Sequence, residues 1–304
     1  MDVVTGAFGY IGKYIAKTLI DQRRTVCTIT THPDKPNPFS PAVTAFSYNF
    51  HDAEALTRTL DGADTLYNTY WIRFPFDGQT YESALENTKT LFRCAKRAGV
   101  KRIVHIGVTR ASLDSALPYY RGKALQEAVL QECGVPFSIV RPTLVFGKED
   151  ILVNNIAWLI RTSPVFPMFG SGRYRVQPVF VEDLAQIAVG QATAAAGTTV
   201  DAIGPETFTF GELVRLIAEK IGRKPKVIRV PASLGLFCGR ILGLLLRDVL
   251  LTRDELRGLM DEMLTSEQAP NGATHLSDWL ENNKTTVGRV YSSEIGRHFR
   301  WSAS

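Results

Sequence analysis

The sequence predicts an α/β protein built on a doubly wound parallel sheet, with a smaller mixed lobe behind it. Short β-branched runs alternate with segments of helical periodicity through the first half, the signature of parallel strands covered by helices on both faces. A glycine-rich turn stands between the first strand and the first helix. The 304 residues leave room for a second lobe.

The first strand, Asp2–Thr5, runs straight into Thr5-Gly6-Ala7-Phe8-Gly9-Tyr10-Ile11-Gly12 and then a helical pattern over Ile11–Ile20. Glycine is needed at such a turn for tight backbone geometry, for close approach of backbone N–H groups to a pyrophosphate, and for packing the helix on the strand. The helix N-terminus faces the anion. Thr5, Gly6, Phe8, Gly9, Tyr10, Ile11 and Gly12 are therefore assigned to a dinucleotide. The domain reads as a Rossmann fold.

The second strand, Thr25–Thr30, ends in Thr31-His32-Pro33 with Lys35 nearby. An acidic residue at this point would hold a ribose 2′-hydroxyl, and none is present. Thr31 and His32 tolerate or donate to a 2′-phosphate, so NADP(H) is slightly favoured over NAD(H). A third strand, Thr44–Tyr48, precedes the helix Ala53–Leu60, for which Asp52 reads as the cap. His51 has no partners at metal or nucleophile spacing.

Strand Thr65–Tyr70, helix Tyr81–Ala98 with Gly99 as its terminator, strand Arg102–Gly107, helix Tyr119–Glu132 with Gly134, and strand Phe137–Arg141 complete six β–α alternations. His105 lies inside an apolar strand and reads as hydrogen-bonded structure. The expected domains are a dinucleotide domain over 1–145 and a substrate lobe over 146–304 that partly returns to the sheet. Beyond Arg141-Pro142 the pattern loosens, then shows Glu206–Gly222, a strand-like Lys226–Val230 and Leu-rich helices. Trp158, Phe166, Phe169 and Tyr174 are candidates for a pocket lining, with core packing an equal alternative.

Ser233–Leu251 is the most apolar stretch, but Arg240, Arg247 and Asp248 interrupt it and the unbroken run is too short to span a bilayer. It reads as a buried or pocket-lining helix, with peripheral membrane contact as the alternative. The net charge of +5 and pI near 9.0 come from scattered Lys and Arg, which reads as a solvated surface rather than a nucleic-acid footprint. Cys27, Cys94, Cys133 and Cys238 lie apart without CxxC pairing, as in reduced thiols of a cytoplasmic protein. No secretory signal precedes the first strand, and no metal set is expected.

The glycine turn, Asn49-Phe50 after the third strand, Asn87, Tyr119-Tyr120-Arg121-Gly122-Lys123, Arg141-Pro142-Thr143 and Val181-Glu182-Asp183 together resemble the atypical or extended short-chain dehydrogenases/reductases. That family includes NmrA-like and complex I subunit-like NAD(P)-binding proteins within the NAD-dependent epimerase/dehydratase superfamily. Asn68-Thr69-Tyr70-Trp71-Ile72-Arg73-Phe74 and Leu276-Ser277-Asp278-Trp279-Leu280 look like features of a bacterial subgroup. The resemblance implies that Asn49 and Phe50 touch the adenine and that Asn68, Thr69 and Tyr70 lie beside the ribose and nicotinamide. It implies the same side for Lys123, Pro142 and Thr143.

Tyr119 and Lys123 have the family's catalytic spacing, and physics supports the pair independently. Residues four apart share a helix face, so an ammonium can favour the ionised form of a phenol whose ordinary pKa is about 10. The serine usual at the end of the fifth strand is missing, and Thr109 is the hydroxyl inside that block, with Ser112 and Ser115 as substitutes or helix caps. The preferred expectation is an NAD(P)-dependent oxidoreductase acting on a small organic substrate, with Tyr119 as general acid/base, Lys123 as its partner and Thr109 as orienter. The alternatives are a non-catalytic NAD(P)-binding regulatory or assembly protein and a nucleotide-sugar epimerase/dehydratase.

Overall fold

The structure is a computed structural model that describes residues 1–298. Its elements run β1 (Asp2–Thr5), α1 (Tyr10–Asp21), β2 (Val26–Thr30), β3 (Val43–Ser47), α2 (Ala53–Leu60), β4 (Thr65–Asn68), α3 (Tyr81–Arg97), β5 (Arg102–Ile106), α4 (Pro118–Glu132), β6 (Phe137–Pro142) and β7 (Leu144–Phe146). They continue with α5 (Leu152–Thr162), β8 (Val165–Phe169), β9 (Arg175–Val176), β10 (Pro178–Phe180), α6 (Val181–Gly190), β11 (Thr198–Ala202), β12 (Phe208–Thr209) and α7 (Phe210–Lys220). β13 (Lys226–Val230), α8 (Ala232–Leu246), α9 (Arg253–Met260), α10 (Leu276–Asn283) and α11 (Glu294–His298) follow. The expected alternation fails once. No helix joins β2 to β3, because Pro33, Pro36, Pro38 and Pro41 remove amide donors and clash with a helical backbone. The two strands still pair in parallel.

The chain divides into two units. The first comprises 1–142 and 181–202 and holds a seven-stranded parallel sheet in the order β11-β6-β5-β4-β1-β2-β3. The fold is Rossmann-like, and the strand order reverses between β1 and β4, where the carboxyl ends of this fold leave a crevice. β1 and β2 are buried along their whole length, as strands covered on both faces must be. Val3, Ile29, Leu66, Phe92, Ile103, Leu130 and Ile139 form one core. Arg102 fastens the returning segment: its guanidinium donates to Ser138 Oγ at 2.8 Å, Gln191 O at 3.1 Å and Ala194 O at 2.6 Å.

The second unit comprises 143–180 and the described residues from 203 onward. It contains the parallel pairs β7/β10 and β8/β13 and the antiparallel pair β9/β12. Phe146, Phe166, Tyr174, Val176, Leu213, Ile217 and Leu280 make its core. Tyr174 stacks on Phe210 at 5.3 Å and Trp158 meets Tyr291 edge-on at 5.2 Å, so these aromatics pack within the unit.

The burial expected for Ser233–Leu251 needs correction. One face of α8 packs on β8, where Gly235 lies against the Phe169 ring, but Leu234, Phe237 and Leu244 are exposed. Asp248, which interrupts the stretch, is buried and accepts from Tyr291 Oη at 2.6 Å and the amides of Glu294 and Ile295 at 3.0 and 2.9 Å.

Candidate functional site: the glycine turn and the strand ends

The turn after β1 folds as its sequence demands. Gly6 has φ +66°, a conformation that a side chain strains. A Cβ on Gly12 would stand 2.3 Å from Gly6 O, so only glycine lets α1 sit this close to the turn. Gly6 N donates to Ile29 O at 2.9 Å, and Ala7 N donates to Thr28 Oγ1 at 2.9 Å while that hydroxyl donates to Val4 O at 2.8 Å. Thr28 pins the turn and was not singled out from the sequence, although a polar residue centred in an otherwise buried strand is a legible signal. The N-cap of α1 is Gly9, which offers no side-chain acceptor, and the first turn has no carboxylate. Uncapped backbone donors and a surface without Cβ atoms fit a pyrophosphate.

At the reversal point the ends of β1, β4 and β5 are joined by buried polar groups. Thr5 Oγ1 donates to Asn68 Oδ1 at 3.2 Å, and Asn68 Nδ2 lies 3.0 Å from His105 Nδ1. That contact makes Nδ1 the acceptor and places the ring proton on Nε2, which has no hydrogen-bond partner. Burial, with the Lys123 charge second, pushes the His105 pKa well below its ordinary value, so the ring is neutral and structural. Thr69 is locked to Thr5 from both sides: its N–H donates to Thr5 Oγ1 at 2.8 Å and its hydroxyl to Thr5 O at 2.6 Å. Tyr70 N donates to Asn68 Oδ1 at 3.1 Å, and Gln126 Nε2 donates to Tyr70 O at 3.2 Å. Gln126 is a second positioning residue the sequence reading missed; its clue is its place three residues after Lys123.

This locked loop carries Trp71 onto α4. The indole lies so close to Gly122 that a Cβ there would be 2.5 Å from Cζ2, and its ring centre is 5.6 Å from Lys123 Nζ. It stacks on Tyr81 at 5.6 Å, and the Tyr81 ring meets Tyr119 edge-on at 6.5 Å. Lys123 is buried and donates to Ile106 O at 2.8 Å. Burial pushes its pKa down to about 7, with Glu127 opposing the shift. Tyr119 is half-buried at the start of α4.

The remaining assigned residues are more dispersed. Thr109 is buried; its N–H and hydroxyl donate to Pro142 O at 3.2 and 3.4 Å, tying the end of β5 to β6. Ser115 Oγ accepts from Leu117 N at 3.2 Å, but the N-cap of α4 is Leu117 itself. A Cβ on Gly107, just past β5, would meet Glu127 Oε1 at 2.5 Å, within the Glu127–Arg141 ion pair. Asn49 is exposed and its Oδ1 accepts from His51 N at 3.2 Å, while Phe50 stacks with Tyr48 at 4.1 Å and tilts against Tyr70 at 5.2 Å. Asn87 Nδ2 donates to Tyr70 Oη at 2.9 Å. Thr31 is exposed and His32 half-buried at the end of β2. Pro142 is buried at the end of β6, and Thr143, also buried, opens the second unit. Asp52 caps α2, accepting from Ala55 N at 2.9 Å. No group of His, Cys, Asp and Glu able to hold a metal exists among the described residues.

Residues 6–152 match the NAD(P)H-binding family. The chain is 23% identical over 243 residues to NADH dehydrogenase [ubiquinone] 1 alpha subcomplex subunit 9, mitochondrial, of Arabidopsis thaliana, covering 75% of this chain and 60% of that protein. The Mus musculus protein of the same name is 24% identical over 318 residues, covering 99% and 81%. Against the plant, Dictyostelium discoideum and Neurospora crassa relatives, the chain spans 60%, 66% and 63% of their length. Among solved structures, Citrobacter sp. triphenylmethane reductase superposes with a TM-score of 0.75 at 17% identity, covering 94% of this chain and 99% of that one. Its complex with NADP(H) gives 0.68 at 18%, covering 92% and 99%. A Streptomyces venezuelae dTDP-glucose 4,6-dehydratase with NAD bound gives 0.67 at 20%, covering 93% and 95%. The chain thus matches the NAD(P)H-binding family over residues 6–152, is similar to NADH dehydrogenase [ubiquinone] 1 alpha subcomplex subunit 9 proteins, and shares the Rossmann-like fold of the reductase and dehydratase structures.

Proposed function

We propose that this chain holds NAD(P)(H) as a resident ligand, in a site whose reactive end is closed by its own Trp71. The observation that carries this reading is the indole seated on Gly122 and over the Lys123 ammonium, the two positions that follow Tyr119 along one face of α4. The turn Thr5–Gly12 would hold the pyrophosphate through backbone N–H groups, with Thr31 and His32 at the adenosine ribose and Asn49 and Phe50 at the adenine. Asn68, Thr69, Tyr70, Lys123 and Pro142 are the groups nearest the nicotinamide in this assignment. His32 and Lys35, with no acid at the end of β2, support NADP(H) over NAD(H). When bound, the dinucleotide supplies a hydride donor or acceptor. The relatives are named as subunits of a larger assembly, which supports a protein partner for this chain.

A second reading, hydride transfer to a small carbonyl substrate, is favoured by one specific observation. Burial brings the Lys123 pKa to about 7, where the lysine can exchange a proton with neighbouring groups at neutral pH. In that reading Tyr119 is the proton donor, and Trp71 must leave Lys123 before the ribose can reach it.

Fluorescence titration with NADPH and NADH, in wild type and in Gly9→Asp, tests the site. Saturable binding lost in the variant supports it, and absence of binding to either form overturns both readings. Single-turnover oxidation of bound NADPH against a carbonyl and quinone panel separates them. Wild-type turnover that disappears in Tyr119→Phe with binding intact would establish the oxidoreductase. Turnover appearing only in Trp71→Ala would establish the closed site.

A further inference from the structure

Helix α8 packs on β8 at Gly235, and three of its apolar side chains are exposed away from that contact. Gly235 and Gly243 lie on the packed side: a Cβ on the first would stand 2.1 Å from Phe169 Cε1, and on the second 2.6 Å from Asp248 O in the turn that ends the helix, while one on Gly239 between them would meet nothing within 4 Å. Leu234, Phe237 and Leu244 are 49%, 61% and 80% exposed. At about 100° per residue these three fall within one arc of about 80°, directly opposite the two glycines. In the strand that feeds α8, Val227 and Ile228 are also exposed, one on each face of β13, which pairs with β8 among the described residues. Single exposed apolar residues are ordinary, but Leu234, Phe237 and Leu244 share one arc of the same helix and make a patch.

Charge identifies what covers it. Residues 223–253 contain Arg223, Lys224, Lys226, Arg229, Arg240, Arg247 and Arg253 and a single carboxylate, Asp248, while the whole chain is only +5. Asp248 is buried and hydrogen-bonded to Tyr291, so it does not offset the cations outside. Arg223, Lys224, Lys226, Arg229 and Arg247, in the segments that precede and follow α8 in the chain, are exposed. A groove of about 400 Å³ on the same unit is lined by Val214, Ala218 and Val227, with Arg215, Arg223 and Lys224 and one carboxylate, Glu219, beside them. Apolar side chains bordered by cations match a surface that is oily below and negative at its face. No helix among the described residues is long and apolar enough to cross a membrane, so the contact is one of lying on the surface.

We infer that β13 and α8 form a docking surface for an anionic phospholipid membrane, with Leu234, Phe237 and Leu244 entering the headgroup boundary and the flanking Arg and Lys residues contacting phosphates. The inference does not depend on the dinucleotide site. It is tested by flotation of the chain with vesicles of phosphatidylcholine alone and of phosphatidylcholine with ~30 mol% phosphatidylglycerol, at low salt and at ~0.5 M NaCl. The wild type should float with the anionic vesicles, and salt should release most of it. Phe237→Ser/Leu244→Ser and, separately, Lys226→Glu/Arg229→Glu should each cut the floated fraction by about fivefold or more. Both variants alter exposed side chains, and their thermal unfolding should match the wild type. Failure of the wild type to float, equal flotation with neutral vesicles, or flotation unchanged in both variants would overturn the inference. A concentration-dependent dimer in light scattering that Phe237→Ser/Leu244→Ser abolishes, without lipid binding, would assign the face to a second copy and equally overturn it.

Discussion

Lys123 should make the stability of this protein depend on pH in a direction opposite to that of an ordinary surface lysine pair. Its ammonium is buried under Trp71 with a pKa of about 7, whereas the unfolded chain titrates at the ordinary 10.5. Between those values the unfolded chain carries a proton that the folded chain lacks, so raising the pH through this window stabilises the fold; below about 7 both states are protonated and the contribution is flat. One pKa unit corresponds to about 1.4 kcal/mol, so from pH 7 to pH 9 the gain is about 2–3 kcal/mol. For a chain of this size that is a rise in Tm of about 3–5 °C. The measurement is thermal unfolding by circular dichroism at pH 7, 8 and 9 without added dinucleotide, for wild type and Lys123→Met. The methionine keeps the length of the side chain but does not titrate, so the difference between the two pH slopes isolates this group from other titrations. Parallel slopes would refute the reasoning and show that the folded chain keeps the lysine charged at neutral pH.

Gly12→Ala should destabilise the first unit by about 1–3 kcal/mol and abolish dinucleotide binding, because the new Cβ would lie 2.3 Å from Gly6 O and must displace backbone; urea unfolding and the NADPH titration check both. Glu127→Leu should cost about 2–4 kcal/mol by leaving the Arg141 guanidinium without its buried partner, and adding Arg141→Leu should recover much of that loss in the same urea series. Asp248→Ala should cost about 1–3 kcal/mol, since it leaves the amides of Glu294 and Ile295 and the Tyr291 hydroxyl without their acceptor; hydrogen exchange at Glu294 and Ile295 should accelerate with it.

The first 142 residues were legible because their information is local. Strand–helix alternation is written in residues two to four apart, and the glycine turn is a contiguous motif whose steric need at Gly12 the structure bears out. The missing β2–β3 helix was legible in the same way, through four prolines whose effect the alternation had obscured. What the periodicity could not give was the set of contacts between residues far apart in the chain. That Trp71 seats on Gly122 depends on Thr69 being locked to Thr5 and Tyr70 to Gln126, separations of 64 and 56 residues that no window of sequence spans. The exclusion of a side chain at Gly107 depends likewise on an ion pair between α4 and β6. The apolar run in α8 illustrates the same division. Its composition was plain from the sequence, but a helix apolar all round reads as buried, and tertiary packing decided which arc meets Phe169 and which, bordered by arginine and lysine, is left facing outward.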